Sequence, residues 1–329
     1  MRKIKSVASL LLTISVLAGM LLLPGCGAKE QIVIYTSAEH YRLDDLSLRL
    51  AEAFPQYDCL LEYKDTGSHA ASLLAEGTDT VCDITYDLEY GYLQQLADAG
   101  VLADLSAYDQ SVYTADAAVS SFYLPVYRNG GAIIVNPAVL AKHGLSAPTN
   151  YEDLLNPQYK GLISMPSPKS SGTGYMFVKA MVNTMGETAA FDYFQKLDAN
   201  ILAYTSSGSG PVNALKNQEA AIGLGMTAQA VIAINEGVDL DILYFDGGSP
   251  YCMYGQSIIR GKETRSSVQE VFDFLINTYT KENNQRFTPE QIYKDYMPEV
   301  ENYPTNIVYA DMSGNTNAEK SRLLDKWPY

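Results

Sequence analysis

The sequence predicts an α/β protein of two lobes with a ligand cleft between them. Three observations carry this. Short apolar strands alternate with amphipathic helices through most of the chain, the pattern of largely parallel sheet covered by helices. The roughly 300 residues that follow an N-terminal leader exceed the size at which a single hydrophobic core stops growing. Four turns rich in Ser, Thr and Gly, drawn from both halves, each stand between a strand and a helix.

The leader comes first. Arg2, Lys3 and Lys5 precede an apolar run from Val7 to Leu23 broken only by Ser, Thr and Gly, and Leu23-Pro24-Gly25-Cys26 follows. A basic end, an apolar stretch shorter than the roughly 20 residues a span wants, and a small residue before a Cys read as an export signal rather than a membrane anchor. The arrangement resembles the bacterial lipoprotein signal. That implies cleavage after residue 25, a lipid on Cys26 that holds the protein to the membrane, a tether over residues 26–30, and a life outside the cytoplasm.

Composition excludes several classes. The chain carries 23 Lys and Arg against 38 Asp and Glu, net −15, which becomes −18 when Arg2, Lys3 and Lys5 leave with the leader. So acidic a chain has no basic patch for a phosphate backbone, and no nucleic-acid partner is expected. The acidity itself reads as solubility at a cell surface and does not describe a pocket. Cys26, Cys59, Cys82 and Cys252 show no C-x-x-C spacing, and no His is placed to complete a zinc site, so no structural metal or cofactor is predicted. Cys59 and Cys82 could pair or could be buried thiols.

Along the mature chain, Ile32-Val33-Ile34-Tyr35 reads as a strand, and Leu43, Leu46, Leu50 and Phe54 follow at helical spacing. A strand at 60–63, a helix at 70–76, a strand at 84–86 and a helix at 90–99 ended by Gly100 complete a first βαβαβα unit. A second unit opens after Gly130-Gly131 with the strand 132–135 and Asn136-Pro137 capping a short helix. Strands at 162–165, 221–224 and 242–245 follow, with helices at 175–185 and 228–236. Phe272, Leu275, Ile276 and Tyr279 mark a closing helix, Thr288-Pro289-Glu290-Gln291 reads as a capping box, and the polar tail after Asp311 reads as a linker. The chain crosses between lobes near Gly130 and returns near Tyr254, which assigns 31–126 plus 256–329 to lobe 1 and 127–255 to lobe 2.

The polar turns are Thr36-Ser37-Ala38-Glu39-His40, Thr66-Gly67-Ser68-His69, Ser170-Ser171-Gly172-Thr173-Gly174 and Thr205-Ser206-Ser207-Gly208-Ser209-Gly210. Ligands of open α/β sheets collect at the carboxyl ends of strands, where helix N-termini offer unpaired N–H groups and partial positive charge. One hydroxyl in such a turn is usually a helix cap; four turns together point to a cleft for an anionic or strongly polar group.

The stretches VIYTSAEH, DTGSHAASLLAEGTDTVCDITYDLEYGYLQQLADAGVL, PTNYEDLLNPQYKGLISMPSPKSSGTGYMFVKAMVNTMG and AYTSSGSGPVNALKNQEAAIGLG resemble the iron(III), thiamine and 2-aminoethylphosphonate group of ABC-importer solute-binding proteins, over about residues 31–280. The resemblance implies a type II periplasmic-binding-protein-like fold with crossing strands, and a monomer that captures a small solute and hands it to an ABC-transporter permease. It implies no catalysis. Ferric members of the group use an adjacent Tyr pair where this chain has Met226 and Thr227, which argues against iron even with His40 nearby.

What remains suits an organic phosphonate or phosphate. Its anion is expected on Ser171, Gly172, Thr173 and Gly174, faced by Ser37 and Ser68 of the other lobe, with His40, His69, Ser207 and Ser209 as further cleft donors and Met226 and Thr227 at the site's edge. Asp87, Glu89 or Asp246 would meet a cationic end, each of them equally readable as a solvated cap or loop acid, and Tyr251 or Tyr254 would line the crossing. The chain has no G-x-S-x-G, H-E-x-x-H or G-x-x-x-x-G-K-[ST], so an enzyme is disfavoured, and the lack of repeats disfavours an adhesive or structural role.

Overall fold

A computed structural model describes residues 29–115 and 117–329; the leader and Cys26 lie outside them. Strand β1 (Glu30–Thr36) is buried from Ile32 onward, as expected of a strand with helices on both faces. Helix α1 (His40–Ala53) turns Arg42, Leu46 and Leu50 inward, and β2 (Tyr57–Tyr63) forms the half-exposed edge. Helix α2 (Thr66–Glu76) is capped by Asp65, which accepts from the Ser68 N–H at 3.0 Å. Strand β3 (Ile84–Glu89) is buried throughout, and Glu89 caps α3 (Tyr90–Asp98) through the Gly91 N–H at 3.0 Å.

The long strand β4 (Leu124–Val135) leads to α4 (Pro137–Lys142), with Asn136 as cap and Pro137 at the first turn as expected. There follow β5 (Ile163–Pro166), α5 (Gly172–Met185), α6 (Glu187–Leu197), β6 (Ile201–Thr205), α7 (Gly210–Lys216), β7 (Ile222–Met226), α8 (Thr227–Asn235) and β8 (Asp241–Leu243). Strand β9 (Tyr251–Ile258) returns, and α9 (Ser266–Phe274), a π-turn (Leu275–Tyr279), α10 (Thr280–Arg286) and α11 (Asn317–Lys326) close the chain.

The strands run in the order β2-β1-β3-β9-β4-β7-β5-β6, with β8 on β4. Each end is parallel, β1 with β2 and β3, and β5 with β6 and β7. The antiparallel middle is made by β4 and β9, which pair from Leu124↔Gln256 to Gly130↔Tyr251; from Gly131 onward β4 pairs with β7 instead. One strand thus belongs to two lobes, and the parallel series on either side are the two lobes with the cleft between them. One apolar cluster, from Ile32 through Val126 and Ile133 to Phe194, runs through both lobes. Two smaller ones cover the outer faces, around Leu73, Leu93 and Tyr35 in lobe 1 and around Ile134, Val212 and Leu215 in lobe 2.

Two expectations are corrected, and one open alternative is decided. Residues 288–291 do not open a helix: the Thr288 hydroxyl is held by Asn283 and Asn284, and Glu290 turns inward to accept from the Gly130 N–H at 3.1 Å and the Tyr303 hydroxyl at 2.7 Å. A remote demand on the carboxylate overrides the local cap. The tail after Asp311 is not a linker, since it carries α11 and the buried Trp327, whose ring meets Phe194 at 5.2 Å and Tyr204 at 5.9 Å. Cys59, Cys82 and Cys252 are all free thiols, which decides between the two readings of Cys59 and Cys82.

Candidate ligand-binding cleft

The polar turns meet. Ser37, Glu39 and His40 before and at the start of α1, Asp65 and Thr66 at α2, Ser170, Ser171 and Thr173 at α5, and Ser206 to Ser209 before α7 line one cavity. Tyr63, Tyr127 and Tyr254 complete its wall, and the cavity opens partly to solvent. The convergence follows from the topology: parallel strands on both sides deliver their carboxyl ends, and hence the helix N-termini, to the gap between the lobes.

Helix α5, like α1 and α7, reaches the cavity without a side-chain cap. Ser171 occupies its cap position but its side chain makes no capping bond, so the N–H groups of the first turn are left for a guest. The Thr173 hydroxyl accepts from Asn129 Nδ2 at 3.1 Å, which fixes the rotamer and frees its own proton to be donated. Gly172 is a glycine for a steric reason: a Cβ there would stand 2.5 Å from the Tyr254 hydroxyl. Tyr254 can therefore reach the cradle from β9. The turn before α7 is braced by Ser170 Oγ donating to the Ser206 carbonyl at 2.9 Å, and by the Ser207 and Ser209 hydroxyls 2.9 Å apart.

Lobe 1 supplies a different surface. No Lys or Arg is among the cavity-lining residues, whereas the carboxylates of Glu39 and Asp65 are. Arg42 lies beneath them, 1% exposed, with one guanidinium nitrogen on Glu39 at 2.9 Å, another on Asp87, and Nε on Asn283 at 3.0 Å. Its guanidinium also lies 4.2 Å from the ring centre of Tyr127, which stacks on Tyr254 at 5.0 Å. One buried cation thus positions a carboxylate and two aromatic rings of the wall. Asp87, at φ +60°, receives the Ser37 hydroxyl on its backbone carbonyl. Burial pushes the Asp87 carboxyl up to about 6, with Arg42 opposing.

Of the sequence-predicted residues, Ser37, His40, Ser171, Thr173, Ser207, Ser209 and Tyr254 line the cavity, and Gly172 and Gly174 belong to the first turn of α5. Ser68 does not: it is exposed and tied to its own cap, Asp65. His69 is fully buried, bonded to the Thr85 hydroxyl at 2.9 Å, and burial pushes its ring down to about 3. Asp87 and Glu89 are each engaged by a buried cation, Arg42 and Lys320. Asp246 is exposed beside a separate hollow with Thr305 and Asn306. Met226 is buried at the end of β7, and Thr227 bonds the Tyr244 hydroxyl at 3.2 Å. Tyr251 faces a second hollow with Glu89 and Tyr123.

Glu39, Tyr63, Asp65, Thr66, Tyr127, Ser170, Ser206 and Gly208 are the lining residues that sequence reasoning did not single out. Most lie inside turns already marked, so position was legible and orientation was not. Among the described residues no three His, Cys, Asp or Glu side chains gather as a metal site.

Residues 79–303 match a family model described as bacterial extracellular solute-binding protein. A protein of Haemophilus influenzae with no stated function is 26% identical over 272 residues, which cover 79% of this chain and 77% of that one. The structure of the periplasmic binding protein AfuA from Actinobacillus pleuropneumoniae, with fructose-6-phosphate bound, superposes with a TM-score of 0.81 at 24% identity, covering 91% of this chain and 98% of that one. Iron-bound HitA from Pseudomonas aeruginosa superposes with a TM-score of 0.75 at 17% identity, over 90% and 99% of the two chains. One fold therefore serves ligands as unlike as a sugar phosphate and a metal ion.

Proposed function

The chain belongs to the bacterial extracellular solute-binding proteins, capture components of ABC importers rather than enzymes, and from that premise we propose that its solute is a small organic phosphate or phosphonate. The observation that carries this is the uncapped first turn of α5, with Ser171, Thr173 and the Tyr254 hydroxyl around it, facing a cavity lined by hydroxyls. Neutral donors in a partly desolvated site hold a phosphoryl oxygen through charge-assisted hydrogen bonds. The rest of the solute then meets Glu39 and Asp65, which suit an ammonium or a set of hydroxyls and repel a second anionic group. AfuA, of the same fold, holds a sugar phosphate, which is consistent with this polarity.

Ferric ion and thiamine are the other solutes that the resemblance allows. Met226 and Thr227 are buried and are not among the cavity-lining residues, and neither offers the phenolate that a hard ferric ion prefers. Scanning fluorimetry against aminoalkylphosphonates, sugar phosphates, thiamine species, polyamines and ferric salts tests the reading. A solute at 100 times its dissociation constant adds about 2.7 kcal/mol of stability. A melting shift with phosphorus compounds supports the proposal; tight ferric binding with a tyrosinate charge-transfer band and no phosphorus binder overturns it.

The protein is further proposed to work as a monomer held to the membrane by lipid on Cys26, delivering its solute to a permease. Mass spectrometry of the native N-terminus tests the anchor: residues before Cys26, or an unmodified thiol, would refute it.

A further inference from the structure

The end of lobe 1, as the sequence divides the chain, packs on lobe 2 as well as on lobe 1. From about residue 301 the chain runs along the other lobe, beginning where Asn235 of α8 donates to the Glu301 carbonyl at 2.9 Å. Asn183 of α5 donates to the carbonyls of Asp311 and Ser313 at 2.8 and 3.0 Å. Arg322 and Lys326 of α11 both pair with Glu187 of α6, and Trp327 is buried against Phe194 and Tyr204. All of these partners are lobe 2 elements.

One side chain of this strap points the other way. Lys320 is 3% exposed and its ammonium pairs with the equally buried Glu89, the residue that ends β3 and caps α3 in lobe 1. The ammonium lies 3.9 Å from the ring centre of Tyr92 in α3 and 4.8 Å from that of Tyr175 in α5. Tyr175 is in turn fixed by its hydroxyl donating to Asn315 at 2.9 Å. Glu89 stands behind the cradle, since a Cβ on Gly172 would be 3.6 Å from its Cγ.

We propose that Lys320 is a positioning residue for the closed cleft: carried on lobe 2 by the C-terminal strap, it clasps lobe 1 through Glu89 and biases the two lobes toward the arrangement that completes the ligand site. The physical case is the asymmetry of a buried ion pair. While the lobes are together both charges are compensated, by each other and by two aromatic faces. If the lobes part at this point, each charge must be rehydrated or left unpaired in an apolar setting, which is strongly unfavourable. The strap's many bonds to lobe 2 anchor the clasp, and besides the Tyr303 and Tyr309 hydroxyls on Glu290 its hold on lobe 1 is the Lys320–Glu89 ion pair, which is where release occurs.

Two readouts on the full-length protein separate clasping from mere folding. Trp327 is the one tryptophan of the chain, so its emission reports whether the strap is docked on lobe 2. Hydrogen exchange of the cleft-lip segments 63–68 and 167–174 reports opening. In Lys320→Met, exchange at both lips is expected to rise several-fold while Trp327 emission stays as in the wild type, and Lys320→Arg is expected to restore protection. Lys320→Met/Glu89→Gln, which leaves no buried unpaired charge, is expected to open in the same way and decides the matter if the single variant does not fold. Lip exchange that stays at the wild-type rate with Trp327 still docked overturns the proposal. So does red-shifted Trp327 emission with deprotection of α11, which would make Lys320 an anchor of the strap to lobe 2 and nothing more.

Discussion

Gly67 is the second residue of α2, at the lip of lobe 1, and its helical φ makes no demand for glycine. Its neighbours do. A Cβ there would stand 3.1 Å from the Lys169 carbonyl oxygen and 3.8 Å from the Ser170 Cα, both in the turn that leads into α5 on lobe 2. The two lips are in backbone contact across the cleft mouth, and Gly67 is what lets them meet. Gly67→Ala therefore has two effects of opposite sign. It removes a poor helix former, worth up to about 1 kcal/mol of stability, or a rise in melting temperature of roughly 1–3 °C for a chain of this size. It also requires the lips to part by a few tenths of an ångström, because 3.1 Å is shorter than a methyl-to-oxygen contact tolerates. Lengthening one cross-cleft hydrogen bond to the solute costs about 0.5–1.5 kcal/mol, a two- to tenfold rise in dissociation constant. Gly67→Val, with two more carbons directed at the Lys169 carbonyl, is expected to weaken binding further without gaining the helix stability of Ala. Calorimetric titration with the solute identified by scanning fluorimetry, paired with ligand-free melting curves, measures both. Affinity that is unchanged in Gly67→Ala and Gly67→Val would show that the lips do not close this tightly around the bound solute, and the argument would fail.

Thr173→Val keeps the shape of the cradle and removes one hydroxyl, so calorimetry is expected to show a dissociation constant raised about tenfold to a hundredfold, the loss of 1.5–3 kcal/mol typical of a bond to a charged group. Burial holds His69 neutral down to about 3, against about 6.5 in the unfolded chain, so its contribution is complete above pH 6.5 and is lost as pH falls toward 3. Urea melts should show His69→Gln with a flatter acid limb, closing on the wild type by about 2 kcal/mol between pH 6.5 and 5; parallel limbs would refute the assignment. Arg42→Met strands the buried Asp87 carboxylate and is expected to cost about 3–5 kcal/mol in denaturant titration, with Arg42→Met/Asp87→Asn recovering much of it. A double variant no more stable than the single one would show that the Arg42 contacts to Glu39 and Tyr127, rather than the charge pair, carry the stability.

The sequence by itself determined the features that are local. The alternation of strands and helices, the glycine pair where β4 changes partners, and the hydroxyl-rich stretches at the starts of α1, α2, α5 and α7 are each written within a few neighbouring residues, although Thr66 to His69 form the first turn of α2 rather than a turn before it. Only the tertiary structure decided which side chains of those turns face the cavity. Ser37 and Ser68 look alike in sequence, but one is drawn inward by the Asp87 carbonyl and the other is used up locally on Asp65. The acids show the same limit more sharply. Asp87 and Glu89 are offered by a strand end beside the cleft, yet each is neutralised by a cation that arrives from far along the chain, Arg42 from 45 residues before and Lys320 from 231 residues after, and the carboxylates that line the cavity are instead Asp65 and Glu39, the latter sharing Arg42 with Asp87. A carboxylate's availability depends on what charge is packed against it at contact distance, and sequence separation carries no information about that distance.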